Sequence, residues 1–168
     1  MVRDRNSKLT HLDAHGQAHM VDVSDKPATQ RRAVARAVVV LGAAWDAWQA
    51  GTLGKGDAAA TARIAGIQAA KRTAELIPLA HPIPITRVEV DLEGHPDARS
   101  LSITVAVRTV GPTGVEMEAM TGAAVAALTV YDMVKGVARD VRIRDVELVE
   151  KSGGRSGDYR KEAVEEDD

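Results

Sequence analysis

The 168-residue chain predicts an α+β domain, in which an antiparallel sheet has helices packed on one face. Apolar residues recur at helical spacing in three segments and alternate with polar residues in two others. The predicted elements follow the order β-α-α-β-β-α-β, which lacks the regular strand–helix alternation typical of a parallel sheet. Residues 94–99 form a short loop between two predicted strands, and strands joined in this way are antiparallel neighbours.

The first predicted elements are a short strand at residues 19–23 and a helix over residues 30–50. Large apolar side chains recur in that helix at spacings of three and four residues, which gives it one apolar face. These residues are Val34, Val38, Leu41, Trp45 and Trp48. Gly51 is expected to end the helix, because glycine readily adopts the left-handed conformation found after many helices.

A second helix is predicted over residues 57–76, with Asp57 as its N-cap. Its apolar stripe is interrupted by Lys71. The amine of Lys71 either reaches water along its aliphatic stem or serves an anion site. Residues 77–84 contain three prolines, which remove amide donors and are incompatible with a continuing helix.

Strands are predicted at residues 87–93 and 101–108, because each has one apolar and one largely polar face. The other predicted elements in this half are a turn at residues 111–114, an extended segment at 115–118, a helix at 121–138 and a strand at 141–149.

Composition narrows the classes of partner. The net charge is −2, from 22 basic and 24 acidic side chains, whereas a nucleic-acid-binding domain is normally basic. The chain has no cysteine, which excludes disulfides, thiolate metal sites and cysteine nucleophiles. No run approaches the roughly 20 apolar residues of a membrane span. We therefore expect no nucleic-acid partner, no membrane partner and a cytoplasmic location.

The domain organisation follows from the same composition. Residues 1–16 are polar and are expected to be a mobile N-terminal segment, residues 17–159 a single domain, and residues 160–168 an acidic disordered tail. His11, His15 and His19 recur at every fourth position, but Gly16 interrupts a helix there and no carboxylate or cysteine completes a ligand set. No metal is expected.

Asp132 and Lys135 are three residues apart on the third long helix and therefore share a face. A surface ion pair of little energetic value is the interpretation favoured by spacing alone. The functional alternative is a carboxylate that relays a proton beside an amine that binds an anion.

Glu116 and Glu118 are two apart in the predicted extended segment, so both are expected on one side, with Met117 on the other. Neighbouring carboxylates raise each other's pKa, which suits acid–base chemistry. A solvated strand face is the simpler alternative.

Two further groups could bind an anion or a substrate. Lys55 lies between two glycines just before a helix N-terminus, a setting that favours phosphate. His81 is held in a proline-rich loop, where it is either a hydrogen-bonded structural residue or part of a site. Residues 151–159 are either a loose tail or a flap that binds anions.

Taken together, several unbroken runs resemble the cyclic pyranopterin monophosphate synthase family of molybdenum-cofactor biosynthesis. The runs are Leu-Thr-His-Leu-Asp (9–13), His-Met-Val-Asp-Val-Ser (19–24), Lys-Gly-Asp (55–57), Ala-Thr-Ala-Arg-Ile-Ala-Gly-Ile-Gln-Ala-Ala-Lys-Arg-Thr (60–73), Leu-Ile-Pro-Leu-Ala-His-Pro (76–82), Thr-Gly-Val-Glu-Met-Glu-Ala (113–119), Ala-Ala-Leu-Thr-Val-Tyr-Asp-Met-Val-Lys (126–135) and Lys-Ser-Gly-Gly-Arg-Ser-Gly-Asp (151–158). Ala80 departs from the family pattern, because relatives often carry a cysteine at this position. A cysteine at position 80 is therefore not needed for the chemistry of this chain.

The resemblance implies a lyase that converts (8S)-3′,8-cyclo-7,8-dihydroguanosine 5′-triphosphate to cyclic pyranopterin monophosphate, with release of pyrophosphate. It also implies a ferredoxin-like fold for the single catalytic domain, no cofactor, and a homohexamer built as a trimer of dimers with sites at the dimer interface. A non-catalytic nucleotide- or pterin-binding regulatory domain and a purely structural subunit remain as alternatives.

The resemblance further assigns roles to residues. The catalytic candidates are Asp132, Lys135 and Lys55, the first two for proton transfer and Lys55 also for binding phosphate. The substrate-binding candidates are Leu79, Ala80, His81, Glu116, Met117 and Glu118. Secondary anion-binding candidates are Arg31, Lys71, Lys151 and Arg155.

Overall fold

The fold is that of a computed structural model of the chain, and the structure describes residues 15–154 and 157–162. Most of the expected N-terminal segment at residues 1–16, most of the expected tail at residues 160–168, and Arg155 lie outside the described residues. Among the described residues, no helix is both long enough and apolar enough to cross a membrane.

In the described part of the chain, five antiparallel strands form one sheet in the order β2-β3-β1-β4-β5. The strands are β1 (Thr29–Val40), β2 (Ile85–His95), β3 (Ser100–Gly111), β4 (Arg142–Ser152) and β5 (Tyr159–Arg160). The α-helices are α1 (Trp45–Gln49), α2 (Ala58–Lys71), α3 (Thr73–Leu76) and α4 (Glu116–Val134). Helix α4 lies across β1, β3 and β4, and α2 packs against β2 and α4. The α+β class is confirmed, and the arrangement is consistent with a ferredoxin-like fold.

The predicted helix over residues 30–50 is wrong in its first half, which is the central strand β1. Ala33, Ala35, Ala37 and Val39 alternate along β1 and are at most 1% exposed. These small side chains face the helices, while both edges of β1 pair with neighbouring strands. The run of valines at its end favours a strand, because branched side chains pack well on a pleated surface. In the second half of the predicted helix, a 3-10 turn at Gly42–Ala44 and the short α1 are helical.

Two other predicted elements are corrected. Residues 19–23 form no strand, and a turn follows them in which the Lys26 amide donates to the Val23 carbonyl at 3.0 Å. Residues 115–118 are not an extended segment, because α4 already begins at Glu116. The carboxylates of Glu116 and Glu118 therefore lie in the first helical turn, where the helix dipole favours negative charge.

The second predicted helix is largely confirmed. Asp57 accepts a hydrogen bond from the Ala60 amide at 2.9 Å and caps α2. Arg72 then leaves helical geometry, and α3 follows as a separate turn. The strands predicted at residues 87–93 and 101–108 lie within β2 and β3, and the strand predicted at 141–149 corresponds to β4, which begins one residue later at Arg142.

Helices α2 and α4 run antiparallel and touch at two glycines. A Cβ on Gly66 would come within 3.1 Å of the Gly122 carbonyl oxygen, and a Cβ on Gly122 would meet the Gly66 carbonyl oxygen at 3.1 Å. Glycine at both positions lets the two backbones approach closely. This contact aligns the loop before α2, which carries Lys55, with the C-terminal end of α4.

Candidate active site

The predicted catalytic residues meet at the C-terminal end of α4. The Asp132 carboxylate contacts the Lys135 amine at 2.7 Å and the Lys55 amine at 2.6 Å. The Lys55 amine also donates to the Asp132 main-chain carbonyl at 2.8 Å. Lys135 lies one helical turn after Asp132, and the loop before α2 supplies Lys55. The structure therefore brings all three residues together in one cluster.

Electrostatics in this cluster favour the ionised carboxylate. Hydrogen bonds from Lys135 and then from Lys55 lower the pKa of Asp132 to about 2. The Asp132 carboxylate in turn raises the pKa of Lys135. All three side chains are close to half exposed, so an incoming anion can compete with Asp132 for the amines. A carboxylate released in this way becomes a stronger base.

A cleft of about 370 Å³ lies at the opposite end of α4, and we call it the His81 cleft. Its walls include every predicted substrate-binding residue from the proline-rich loop and the start of α4. These are Leu79, Ala80, His81, Glu116, Met117 and Glu118. The other lining residues are Val21, Val23, Lys26, Ile83, Thr113 and Gly114.

His81 has both a structural contact and a place in the cleft wall. Its Nε2 donates to the Val21 carbonyl at 2.7 Å, which ties the proline-rich loop to the segment before β1. In the neutral imidazole this leaves Nδ1 as an acceptor. The two interpretations of His81 that the sequence offers are therefore compatible.

Glu118 is the most deeply buried carboxyl of the site, with 3% of its surface exposed. Burial, and secondarily the nearby Glu116 carboxylate, raise the pKa of Glu118 to about 7. A carboxyl with that pKa can donate or accept a hydrogen bond near neutral pH. The expected repulsion between the two carboxylates is present, but burial is the larger cause.

The side chains of Glu116 and Glu118 do not point to one side, as an extended segment would require. Positions two apart on a helix differ in direction by about 200°. Glu116 instead approaches Lys151, whose amine lies 3.3 Å from its carboxylate. This contact joins the start of α4 to the end of β4.

A second cleft of about 520 Å³ adjoins the first, and we call it the Arg31 cleft. The two clefts share four lining residues, which are Lys26, Thr113, Gly114 and Glu116. Arg31 lines only the second cleft, together with Gly154. Its guanidinium donates to three main-chain carbonyls, those of Pro112 at 3.1 Å, Gly111 at 3.4 Å and Gly153 at 3.4 Å.

The remaining predicted residues take different places. Lys71 ends α2, is exposed, and is absent from the linings of both clefts. Sequence reasoning missed Lys26, a half-buried residue shared by both clefts. It follows the His-Met-Val-Asp-Val-Ser run, but a single lysine in a polar segment has no spacing that marks it as functional.

Within one chain the predicted site residues form two groups. Asp132 and Glu116 lie at opposite ends of α4, about 24 Å apart along its axis at ~1.5 Å per residue. A single chain therefore does not gather the two groups around one cavity.

Comparison with known proteins identifies the family. A family model described as the MoaC family matches residues 20–154. A protein of Thermomicrobium roseum named cyclic pyranopterin monophosphate synthase is 56% identical over 157 residues, 93% of this chain and 95% of that protein. Proteins with the same name from a Nostoc species and from Herpetosiphon aurantiacus are 53% and 56% identical, over 92% and 90% of this chain and 92% and 93% of their own lengths. With a family model over most of its length and relatives at this identity, the chain belongs to the MoaC family.

Proposed function

We propose that this chain is a cyclic pyranopterin monophosphate synthase, a phosphorus–oxygen lyase of molybdenum-cofactor biosynthesis. Its substrate is (8S)-3′,8-cyclo-7,8-dihydroguanosine 5′-triphosphate, and its second product is pyrophosphate. The relatives carry this enzyme's name. The observation that carries the proposal is the Asp132 carboxylate held between two amines, because rearrangement of a purine requires proton transfers and expulsion of pyrophosphate requires cations.

The two groups of residues divide the reaction between them. The purine enters the His81 cleft, where the Glu118 carboxyl and the His81 ring offer polar contacts to its edge. Asp132 and Lys135 exchange protons with the ring atoms during opening and closure. The Lys55 amine contacts the same Asp132 carboxylate as Lys135 does, so it is placed to hold a phosphate oxygen beside the reacting carbons. The cytoplasm is the proposed location.

A second copy of the chain completes the site. Ile64 on α2 and Leu128 on α4 are large apolar side chains on two adjacent helices, and each is 57% exposed. A two-fold axis near the middle of α4 would cover these residues and lay the Asp132 end of one copy over the Glu116 end of the other. An interface of this kind is self-complementary, so each dimer has two equivalent composite sites. Three such dimers form the proposed homohexamer.

The direct test is catalysis by the purified protein. Incubation with authentic cyclised substrate should release pyrophosphate and a pterin product in equal amounts, measured by coupled phosphate assay and fluorescence after oxidation. A protein that binds the substrate without turnover would instead be the non-catalytic regulatory domain. The Asp97→Asn variant, which changes an exposed acid at the far end of the sheet, is the matched control for Asp132→Asn in this assay.

The composite site has its own test. We expect Asp132→Asn and His81→Ala homo-oligomers to be nearly inactive, because each damages every site. After the two variants are mixed under conditions that exchange subunits, heterodimers contain one intact site, so roughly a quarter of wild-type activity should return. A mixture that stays inactive although mass spectrometry shows exchanged subunits would contradict a site shared between copies.

A further inference from the structure

One edge of the sheet is open along most of β4. Strand β5 pairs with Glu150 and Lys151 of β4, and in the described part of the chain no strand pairs with that edge from Arg142 to Leu148. Backbone donors and acceptors on an open edge readily pair with a further extended stretch of chain. This part of β4 is therefore a surface that can bind one.

Two arginines project from the open part of β4. Arg142 and Arg144 lie directly across from Val40 and Val38, which point away from the helices on β1, and directly opposed residues point to the same side of a sheet. Together with Arg36 they line a cleft of about 610 Å³ on the outer face of the sheet. We call it the arginine cleft.

The positive charge of the arginine cleft is only partly matched by acids. Arg36 is engaged by Glu147 at 2.8 Å, whereas the acid nearest to Arg144 is its chain neighbour Asp145, at 3.6 Å. In residues 15–154 and 157–162, no carboxylate lies within ion-pairing distance of Arg142. An acidic ligand therefore complements this cleft.

The chain after β5 runs toward the same edge. The Lys161 amide donates to the Val149 carbonyl at 2.8 Å, so the chain continues antiparallel to β4 in the direction of Arg142. The structure describes this path as far as Glu162. The sequence continues with Ala-Val-Glu-Glu-Asp-Asp at residues 163–168, which we call the acidic segment.

The register of β5 sets acids of this segment opposite the arginines. Glu150 pairs with Arg160, so the same register sets position 166 opposite Arg144 and position 168 opposite Arg142. A β-bulge at Asp145 adds one residue to β4 and shifts the opposed positions to 165 and 167. All four of these positions are acidic, so each arginine meets an acid in either register.

We propose that the acidic segment binds the open edge of β4 with its carboxylates in the arginine cleft. The segment follows β5 directly, so the contact is intramolecular and the effective concentration is on the order of millimolar. Weak, exposed ion pairs are sufficient at such a concentration. The contact secures the connection between β4 and β5, next to the contact of Lys151 with Glu116. It does not depend on the proposed function.

Disulfide trapping tests the contact, because the chain has no cysteine of its own. The Val146→Cys/Val164→Cys double variant changes no charge, and the register of β5 sets these two positions opposite each other. Oxidation in a glutathione buffer should form an intrachain disulfide, measured by peptide mapping and non-reducing gels. The control is Glu93→Cys/Val164→Cys, with a thiol on the opposite edge strand β2. It should form at least about 10-fold less, because distant cysteines cannot be bridged.

The arginines should govern the yield of that disulfide. Adding Arg142→Gln and Arg144→Gln to the first double variant should lower the effective concentration of the thiol pair about 3- to 10-fold, since two exposed ion pairs are lost. A similar loss is expected at 1 M salt, where the Debye length is about 3 Å. Arg108→Gln, which removes an exposed cation on β3 outside the cleft, should have no effect.

Three results would overturn the proposal. The first is a thiol effective concentration that is the same with and without Arg142 and Arg144. The second is an intrachain disulfide no more abundant than in the Glu93→Cys control. The third is a disulfide that joins two chains, which would assign the cleft to the acidic segment of another copy. Thermal melts verify that every variant folds.

Discussion

At the scale of single residues, the Asp132 carboxylate is the centre of the cluster at the end of α4. It accepts contacts from two amines, at 2.6 Å and 2.7 Å. We expect Asp132→Asn to lower kcat by at least about 100-fold, the range of a placed acid or base, while KM changes by less than about threefold. The amide keeps the shape but can neither hold the charge nor accept the proton. Steady-state kinetics with authentic substrate check this.

The outcome that contradicts an acid–base role is a rise in KM with kcat unchanged, since Asp132 would then serve only to bind substrate. The spacing of Asp132 and Lys135 was enough to predict that they share a helix face. It could not predict the second amine, because Lys55 comes from a loop far away in the chain.

The Glu118 carboxyl makes stability depend on pH in a predictable direction. Its pKa is raised from 4.5 to about 7 in the folded protein. Between these values the folded state keeps a proton that the unfolded state has released, so the free energy of unfolding falls as pH rises through this window. Above pH 7 the Glu118 carboxylate is charged in the folded state as well, and the free energy of unfolding is lowered by the full cost of burying that charge.

We therefore expect Glu118→Gln to gain stability over the wild type as pH rises, from near zero difference at pH 4.5 to about 1–3 kcal/mol at pH 8. Urea denaturation at both pH values measures this difference. Glu93→Gln, an exposed position on β2, is the control and should show no such trend. An equal difference for Glu118→Gln at the two pH values would contradict the raised pKa.

At the scale of secondary-structure elements, the contact of α2 with α4 determines where the ends of both helices lie. A Cβ on Gly122 would meet the Val105 side chain at 3.0 Å and the Gly66 carbonyl oxygen at 3.1 Å. Gly122→Val should therefore destabilise the fold by about 1–3 kcal/mol through overpacking, as measured by urea denaturation.

Gly136→Val is the matched control for that variant, because a Cβ at Gly136 meets no atom within 4 Å. The interpretation would be wrong if both glycine variants lost the same stability. Sequence spacing alone did not reveal that Gly66 and Gly122 contact each other.

At the scale of the whole molecule, the exposed Leu128 lies between the two groups of site residues on α4. In the proposed dimer it is covered by the second copy. Leu128→Asp should leave each chain folded, because the side chain is 57% exposed in the isolated chain. It should nevertheless yield smaller species in sedimentation experiments and lose most activity, since a charge in an apolar interface is costly.

Leu128→Met, which keeps an apolar side chain of similar volume, should assemble and react as the wild type does. A Leu128→Asp protein that dissociates to single chains yet keeps full activity would disprove the shared site.

Local patterns in the sequence were sufficient for the α+β class, the hairpin between β2 and β3 and the capped start of α2, whereas the candidate site residues were named from the family resemblance. Each local pattern depends on neighbouring residues, since caps, turns and alternation act over a few positions. The alanine- and valine-rich β1 was mistaken for a helix, because its apolar residues satisfy both periods. Pairing with β3 and β4 on its two edges resolves that ambiguity, and such pairing is a property of the fold alone.

Tertiary structure also determined what surrounds each functional group. Burial, which depends on the packing of distant segments, raises the pKa of Glu118. Asp132 is separated from the His81 cleft by the length of α4. Sequence spacing gives that distance only once the helix boundaries are known. The sequence therefore determined which chemical groups are available, and the packed fold determined which of them face one another.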